Sequence, residues 1–327
     1  MNREQLERNQ VLVYLVAVVA GIALGSLAPA VGEWAEAAIL PVLAVLLLAT
    51  FLQVPLAHLP AAFRDVRFLG AVLIANFVLI PLVVAGLLLL APNDPAIRLG
   101  IVMVLVVPCT DWFLTFTHVA KGDTARAVAA TPVLLLVQLA LLPVYVFVLQ
   151  GGDQRVEIEL GPIVVTFVVL IVIPLVIAAV LELLGSRRPG PAATAVEASA
   201  WLPVPLLAIV LFLIATSQVG AILGALPLLP WLTTIFVGYL VAAVIIALVT
   251  SRLLRLEPQV TRTVVFSTST RNSFVVLPIA LALPEAAAIA VVVIVVQTFV
   301  ELFGMVIAVK VVPKIVPVPP PGLTSSR

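Results

Sequence analysis

Two short polar stretches interrupt the apolar sequence of this chain, and they contain most of the side chains that could do chemistry. The first stretch, residues 107–111, places a proline beside the only cysteine and a carboxylate. The second stretch, residues 267–273, combines hydroxyl groups with an arginine and an asparagine. Proline removes a backbone donor and breaks the hydrogen-bond ladder of a helix. We interpret both stretches as breaks in otherwise apolar helices.

Cys109 has the most distinctive chemistry of these residues. A thiol sulfur is a soft ligand that suits thiophilic solutes. The alternative is that Cys109 is simply a small buried residue, as most free cysteines are. A broken helix also presents half-helix ends, whose N-terminal sides favour negative charge or oxygen atoms and whose C-terminal sides favour cations.

Asp111 and Arg271 are the strongly charged residues of the two breaks. Each charge would be costly alone at membrane depth, and an ion pair across the breaks would lower that cost. In one interpretation Asp111 couples transport to protons or cations, and Arg271 neutralises it or meets an anionic solute. In the other, the two residues form a structural pair that closes the break. The sequence leaves both interpretations open.

Hydroxyl and amide groups around the breaks could supply oxygen atoms to a solute, although hydroxyls also bond back to helix carbonyls. The candidates for solute binding are Thr110, Asn272 and Ser273 beside Cys109 and Arg271, and the candidate sodium ligands are Thr110, Thr268 and Ser269. Glu301, an acid in the last apolar segment, needs a partner or a proton and is a second candidate for coupling. Since the sequence holds no catalytic triad, metal-ligand cluster or nucleotide motif, we expect neither an enzyme nor a cofactor.

The composition is that of a polytopic membrane protein. Hydrophobic residues make up 63% of the chain and charged residues 10%, which is far outside the range of soluble domains. The net charge of +1 gives no reason to expect a nucleic-acid partner. A single cysteine excludes a disulfide framework within one chain. The expected partners are the lipid bilayer, a small inorganic or organic solute, and a proton or sodium ion.

A bilayer core requires about 20 apolar residues for each helical span. Most of the seventeen Lys and Arg residues lie in the even-numbered loops and at the two ends of the chain. Since basic loops stay inside, we expect a multi-pass protein of the cytoplasmic (inner) membrane with both termini cytoplasmic. About ten spans are predicted, at residues 11–29, 36–55, 67–91, 98–119, 125–149, 161–184, 200–218, 228–250, 262–283 and 286–312.

Short matches recur at an offset of about 160 residues, and the two breaks differ by a similar amount. We therefore expect two five-span repeats, residues 1–150 and 151–313, followed by a disordered cytoplasmic tail over 314–327. A half with five spans begins on one side and ends on the other, so its copy must be inverted in the membrane. Breaks at matching places in inverted repeats indicate a transporter site, where spans four and nine would cross.

The sequence around both breaks resembles a known superfamily. Pro108 to Thr110, Ala120 to Asp123 and Thr270 to Phe274 are similar to the bile acid/arsenite/riboflavin transporter superfamily, and most similar to its Acr3-type arsenite efflux permeases. The resemblance covers spans one to ten. It implies a panel domain of spans one, two, six and seven, and a core domain of spans three to five and eight to ten. It also implies that Cys109 is needed for metalloid transport.

The chain departs from that family at one position. Where the permeases follow the Arg-Asn-x-Phe motif with a glutamate, this chain has Val275, and the glutamate that the sodium symporters carry in span nine is also missing. We expect Asp111 or Glu301 to take over the acidic role.

The leading hypothesis is secondary active efflux of arsenite, and of antimonite as a related solute, by proton antiport with alternating access, which would give arsenic resistance. The alternative is a sodium-coupled symporter of a bile-acid-like organic anion, in which Arg271 meets the anion.

Overall fold

The computed structural model describes residues 9–55, 59–149, 160–185, 191–284 and 287–318. Within these ranges the regular secondary structure is helical, with one isolated bridge between two extended residues. The all-α prediction is therefore confirmed for the described part of the chain. Several of the basic residues used for orientation, in segments 1–8, 150–159 and 186–190, lie outside it.

The first half of the chain forms seven helices, α1 to α7. A π-helical turn at Ala75–Leu79 lies within α4. The helices are α1 (Gln10–Leu27), α2 (Val31–Phe51), α3 (Leu59–Ala62), α4 (Val66–Leu88), α5 (Pro95–Leu105), α6 (Trp112–Val119) and α7 (Thr124–Leu149).

The second half forms α8 to α15. A π-helical turn at Val168–Val172 interrupts α8, which begins as Leu160–Phe167 and continues as Ile173–Gly185. The remaining helices are α9 (Pro191–Ser199), α10 (Pro203–Ser217), α11 (Val219–Ala225), α12 (Leu229–Leu253), α13 (Pro258–Ser269), α14 (Ser273–Leu281) and α15 (Ile289–Ile315).

Seven helical stretches of the described chain are long and apolar enough to cross a membrane. They correspond to predicted spans one, two, three, five, six, eight and ten. Predicted span seven falls on the shorter α10, and predicted spans four and nine each fall on two short helices, α5 with α6 and α13 with α14. The polytopic all-helical class is thus confirmed, whereas the count of ten spans and the inverted repeat stay predictions.

Large apolar side chains lie exposed along the outer faces of the long helices. Val19 on α1, Leu82 on α4 and Ile307 on α15 are each more than 60% exposed. A soluble protein rarely leaves so much apolar surface in water, but a bilayer covers such faces with acyl chains.

The helices pack in two groups. In the first, α10 packs against α1 and α2, and α8 packs against α2. In the second, α12 packs against α13 and α15, while α5 packs against α4, α7 and α15. The division into a panel domain and a core domain, which the resemblance implies, remains a prediction.

The last helix extends further than expected. The tail was predicted from residue 314, but α15 continues through Pro313 to Ile315. The buried guanidinium group of Arg262 donates hydrogen bonds to the carbonyl oxygens of Pro313 (3.3 Å) and Val316 (2.9 Å), which fastens this end to α13. Residues 319–327 of the predicted tail lie outside the described residues.

Two glycines allow α1 to approach α10 closely. A Cβ atom added at Gly21 would lie 2.5 Å from the carbonyl oxygen of Phe212 and 2.8 Å from the Cβ atom of Ala215. Gly25, one turn later, has the same kind of backbone neighbour in Thr216. Pairs of small residues at this spacing let transmembrane helices pack backbone to backbone.

We expect Gly21→Leu to force α1 away from α10 and to lower the stability by about 1–3 kcal/mol, the usual cost of overpacking. The matched control is Gly86→Leu on α4, where an added Cβ meets nothing within 4 Å. Thermal unfolding of both detergent-solubilised variants measures the difference. Equal melting temperatures would contradict the close-packing interpretation.

Candidate functional site

The two predicted breaks meet and cross. α5 ends at Leu105 and α6 begins at Trp112, while α13 ends at Ser269 and α14 begins at Ser273. Pro108 and Arg271 form an antiparallel bridge between the intervening extended segments. The N–H of Cys109 donates to the Thr270 carbonyl oxygen (3.0 Å), and the N–H of Asn272 donates to the Val107 carbonyl oxygen (2.8 Å). Backbone groups freed by one break are thereby satisfied by the other, as an apolar membrane requires.

The guanidinium group of Arg271 joins the C-terminal ends of the first half-helices. The residue is 1% exposed. Its Nη1 donates to the Leu105 carbonyl oxygen of α5 (3.2 Å), and its Nη2 donates to the Ser267 (2.9 Å) and Thr268 (2.8 Å) carbonyl oxygens of α13. Helix C-termini carry partial negative charge. A cation belonging to the chain itself therefore occupies the place where these two ends converge.

Asn76 and Tyr239 complete the surroundings of this guanidinium group. The Oδ1 atom of Asn76 accepts from Arg271 Nη2 (2.7 Å), and its Nδ2 donates to Ser267 Oγ (3.0 Å). The ring of Tyr239 lies 5.5 Å from the guanidinium carbon, a cation–π distance. The sequence marks Asn76 as a polar residue within a span, but only the packing of α4 on α13 reveals its partner.

The Asp111–Arg271 pair considered from the sequence is not how Arg271 is neutralised. The hydrogen bonds of its guanidinium group run to carbonyl and amide oxygens rather than to the Asp111 carboxylate. Asp111 instead precedes the first residue of α6 and borders a separate cavity. The physical reason is that two converging helix C-termini already supply the negative potential that a buried guanidinium requires.

Glu301 reaches the crossing from α15. Its Oε2 atom accepts from the backbone N–H of Arg271 (3.0 Å) and from Gln297 Nε2 (2.7 Å). The residue is 1% exposed, and its Oε1 atom has no hydrogen-bond partner among the described residues. The side chain of Glu301, one of the two acids proposed for coupling, is therefore bonded to the crossing itself.

The predicted hydroxyl ligands have different environments. Thr268 Oγ1 lies within hydrogen-bond distance of the Ala243, Val264 and Val265 carbonyl oxygens, so it has the ordinary role of a hydroxyl in a helix. Ser273 Oγ pairs with Thr298 Oγ1 (2.8 Å). The buried Oγ atoms of Thr110 and Ser269 have no partner among the described residues, so their oxygens remain available.

A very small void lies at the crossing beside the thiol. It measures about 10 Å³ and is bordered by Cys109, Arg271, Asn272 and Ser273 together with the rings of Trp112 and Phe274. We call it the inner void. Trp112 and Ser273 are the first residues of α6 and α14, so the positive ends of both second half-helices lie at this void.

A larger cavity of about 150 Å³ is bordered by the same two aromatic residues. We call it the outer cavity. Trp112 and Phe274 border it, together with residues of α1, α6 and the α9–α10 segment and with Gln53, which follows α2. Its polar lining consists of Gln10, Tyr14, Gln53, Asp111 and Thr115. Sequence reasoning missed Gln10 and Tyr14, because single polar residues in the first span carry no motif or repeat that marks them.

The comparisons with known proteins give one family. The model described as the sodium bile acid symporter family matches residues 40–225, which is more than half of the chain. The matched part runs from α2 to α11 and contains the first break but not the second. The comparison with curated proteins gives no match.

We expect Arg271→Lys to destabilise the crossing by at least about 2 kcal/mol, since one ammonium group cannot replace the forked donors and each buried acceptor left unpaired costs about 1–3 kcal/mol. The control is Arg98→Lys, because Arg98 donates to a single carbonyl oxygen, that of Leu88. Thermal unfolding in detergent compares the two variants. A melting temperature of Arg271→Lys equal to that of the control would refute the role assigned to the guanidinium.

Proposed function

Because the chain belongs to the sodium bile acid symporter family, a family of solute transporters, we propose that it is a secondary active transporter that exports arsenite, and antimonite as a related solute, by proton antiport. Efflux across the cytoplasmic membrane would give arsenic resistance. The mechanism would be alternating access of the outer cavity to the two sides of the membrane, as one helix group moves against the other.

One observation supports the proposed class of substrate. The inner void borders the only thiol of the chain and the N-terminal ends of α6 and α14, whereas the guanidinium of Arg271 already neutralises the C-terminal ends of α5 and α13. Such a void favours a thiophilic solute that is rich in oxygen atoms and does not favour a free cation. Trihydroxyarsenic, the neutral form of arsenite, has this chemistry. The Cys109 sulfur would bind the arsenic atom in place of one hydroxyl group, which leaves as water with the thiol proton, and Thr110, Asn272 and Ser273 would be directed to the two hydroxyl groups that remain.

The hydrogen bonds around Glu301 support its role in coupling. The peptide group between Thr270 and Arg271 accepts from the N–H of Cys109 through its oxygen and donates to Glu301 through its N–H. Hydrogen bonds in such a chain polarise one another. A proton gained or lost at Glu301 would therefore change the bond that holds the cysteine segment. In this way a carboxylate from α15 would replace the glutamate of span nine, whose position Val275 occupies in this chain. Asp111 would act at the outer cavity, which it borders.

A second candidate is sodium-coupled symport of an organic anion. It is favoured by the oxygen atoms that are buried without partners among the described residues, namely Thr110 Oγ1, Ser269 Oγ and Glu301 Oε1. Hard cations prefer oxygen ligands of this kind. In this candidate the anion would have to enter by displacing the partners of Arg271, which are already formed.

We expect Cys109→Ser to abolish arsenite accumulation in everted membrane vesicles energised with a proton gradient, because a hydroxyl cannot replace a soft thiol ligand. The control is Ser217→Ala on α10, whose hydroxyl bonds only within its own helix. Full accumulation in Cys109→Ser would exclude the metalloid mechanism. Sodium-driven uptake of an organic anion that is lost in Thr110→Val would establish the second candidate instead.

We expect Glu301→Gln to keep exchange of labelled arsenite across the vesicle membrane but to lose accumulation driven by the proton gradient. Glutamine preserves the acceptor for the Arg271 N–H and removes the titratable group. Asp111→Asn is the comparison, since it removes the other acid. Gradient-driven accumulation that survives in Glu301→Gln and fails in Asp111→Asn would assign coupling to Asp111.

A further inference from the structure

The outer cavity and the inner void are separated by two aromatic side chains. Trp112 and Phe274 are the residues that border both spaces. Their ring centroids lie 6.3 Å apart with an interplanar angle of 79°, an edge-to-face contact that aromatic rings favour. The direct route from the outer cavity to the thiol therefore runs past these two residues. We propose that Trp112 and Phe274 form an aromatic gate that selects by size which solutes reach Cys109.

The size of the inner void supports a gate that must open. A volume of about 10 Å³ is near the minimum that holds one water molecule. The outer cavity, at about 150 Å³, has room for a compact solute of several heavy atoms. Cys109 is itself 3% exposed. The described arrangement is therefore one in which the thiol is shielded while the space beside it is open.

The positions of the two rings allow them to move without unfolding a helix. Trp112 is the first residue of α6 and Phe274 is the second residue of α14. Within a helix one side-chain rotamer is excluded because it clashes with the preceding turn. At the start of a helix no such turn exists, so the ring can rotate about χ1 while the backbone hydrogen bonds stay intact.

Neighbouring rings limit how far the gate opens. Trp112 also contacts Phe116 edge to face (6.3 Å), and Phe116 stacks on Phe266 (6.5 Å, 25°). Phe116 and Phe266 are buried, whereas Trp112 is partly exposed to the outer cavity. Trp112 therefore has more room to rotate than the buried rings of Phe116 and Phe266, which limit how far it can move. A small displacement of the Trp112 ring would let a compact solute pass. A solute that carries a ring or a chain would not pass.

The test uses Cys109 as a reporter. Because it is the only cysteine of the chain, the rate at which a thiol-specific reagent labels the protein measures the accessibility of Cys109. The purified full chain is labelled with methyl methanethiosulfonate and with benzyl methanethiosulfonate, and both rates are followed by intact mass. Each rate is divided by the rate of the same reagent with free cysteine. On this scale we expect the small reagent to label the parent protein at least about tenfold faster than the bulky reagent.

Trp112→Ala and Phe274→Ala are expected to bring the two rates to within about threefold of each other, because the bulky reagent gains access. Leu114→Ala is the matched control, since Leu114 borders the outer cavity but not the inner void. Trp112→Leu and Phe274→Leu replace the alanine variants if those do not fold. Three results would each overturn the proposed gate. They are equal labelling rates for the two reagents in the parent protein, an unchanged ratio of these rates in both gate variants, or the same change of the ratio in Leu114→Ala.

The gate rests on the proposed function for its biological meaning, but labelling needs no transport. If Cys109→Ser keeps full arsenite efflux while the labelling ratio collapses in Trp112→Ala, the gate stands and the proposed substrate site is wrong. If Cys109→Ser abolishes efflux while the ratio is unchanged in both gate variants, the substrate site stands and the gate is wrong.

Discussion

The crossing of two broken helices depends on one buried guanidinium group. Breaking a helix within a bilayer frees carbonyl oxygens that lipid cannot satisfy, and bringing two helix C-termini together adds repulsion between their partial negative charges. Arg271 answers both problems, because its forked donors reach the last carbonyls of α5 and α13 while its positive charge offsets their dipoles. Asn76 and Tyr239, from α4 and α12, hold the fork in place.

This arrangement makes the two sides of the crossing chemically different. The C-terminal side is filled and neutralised by the chain itself, and the N-terminal side is left with a small void, a thiol and the positive ends of α6 and α14. The side that remains open is suited to oxygen-rich or negatively charged groups. Arg271 also borders this void, so its positive charge adds to the positive ends of α6 and α14.

The carboxylate at the crossing comes from the last helix, α15. Val275 occupies the place where the resembled permeases carry a glutamate, and it is fully buried. Glu301 reaches the same segment from α15 and bonds to the N–H of Arg271. Since the Thr270–Arg271 peptide also binds the N–H of Cys109, the acid and the thiol are linked through a single peptide group.

The sequence by itself determined the membrane class, the all-helical architecture and the location of both breaks, because hydropathy and helix-breaking residues are local properties. It also identified Cys109, Arg271 and Glu301, because polar groups are conspicuous in apolar segments. Only the tertiary structure decided the partners. Arg271 bonds to carbonyl oxygens and Asn76 rather than to Asp111, and Trp112 and Phe274 border both the outer cavity and the void beside the thiol. These partners and neighbours depend on how helices that are distant in sequence converge. The spacing of residues along the chain does not encode which polar groups that packing brings within hydrogen-bond distance.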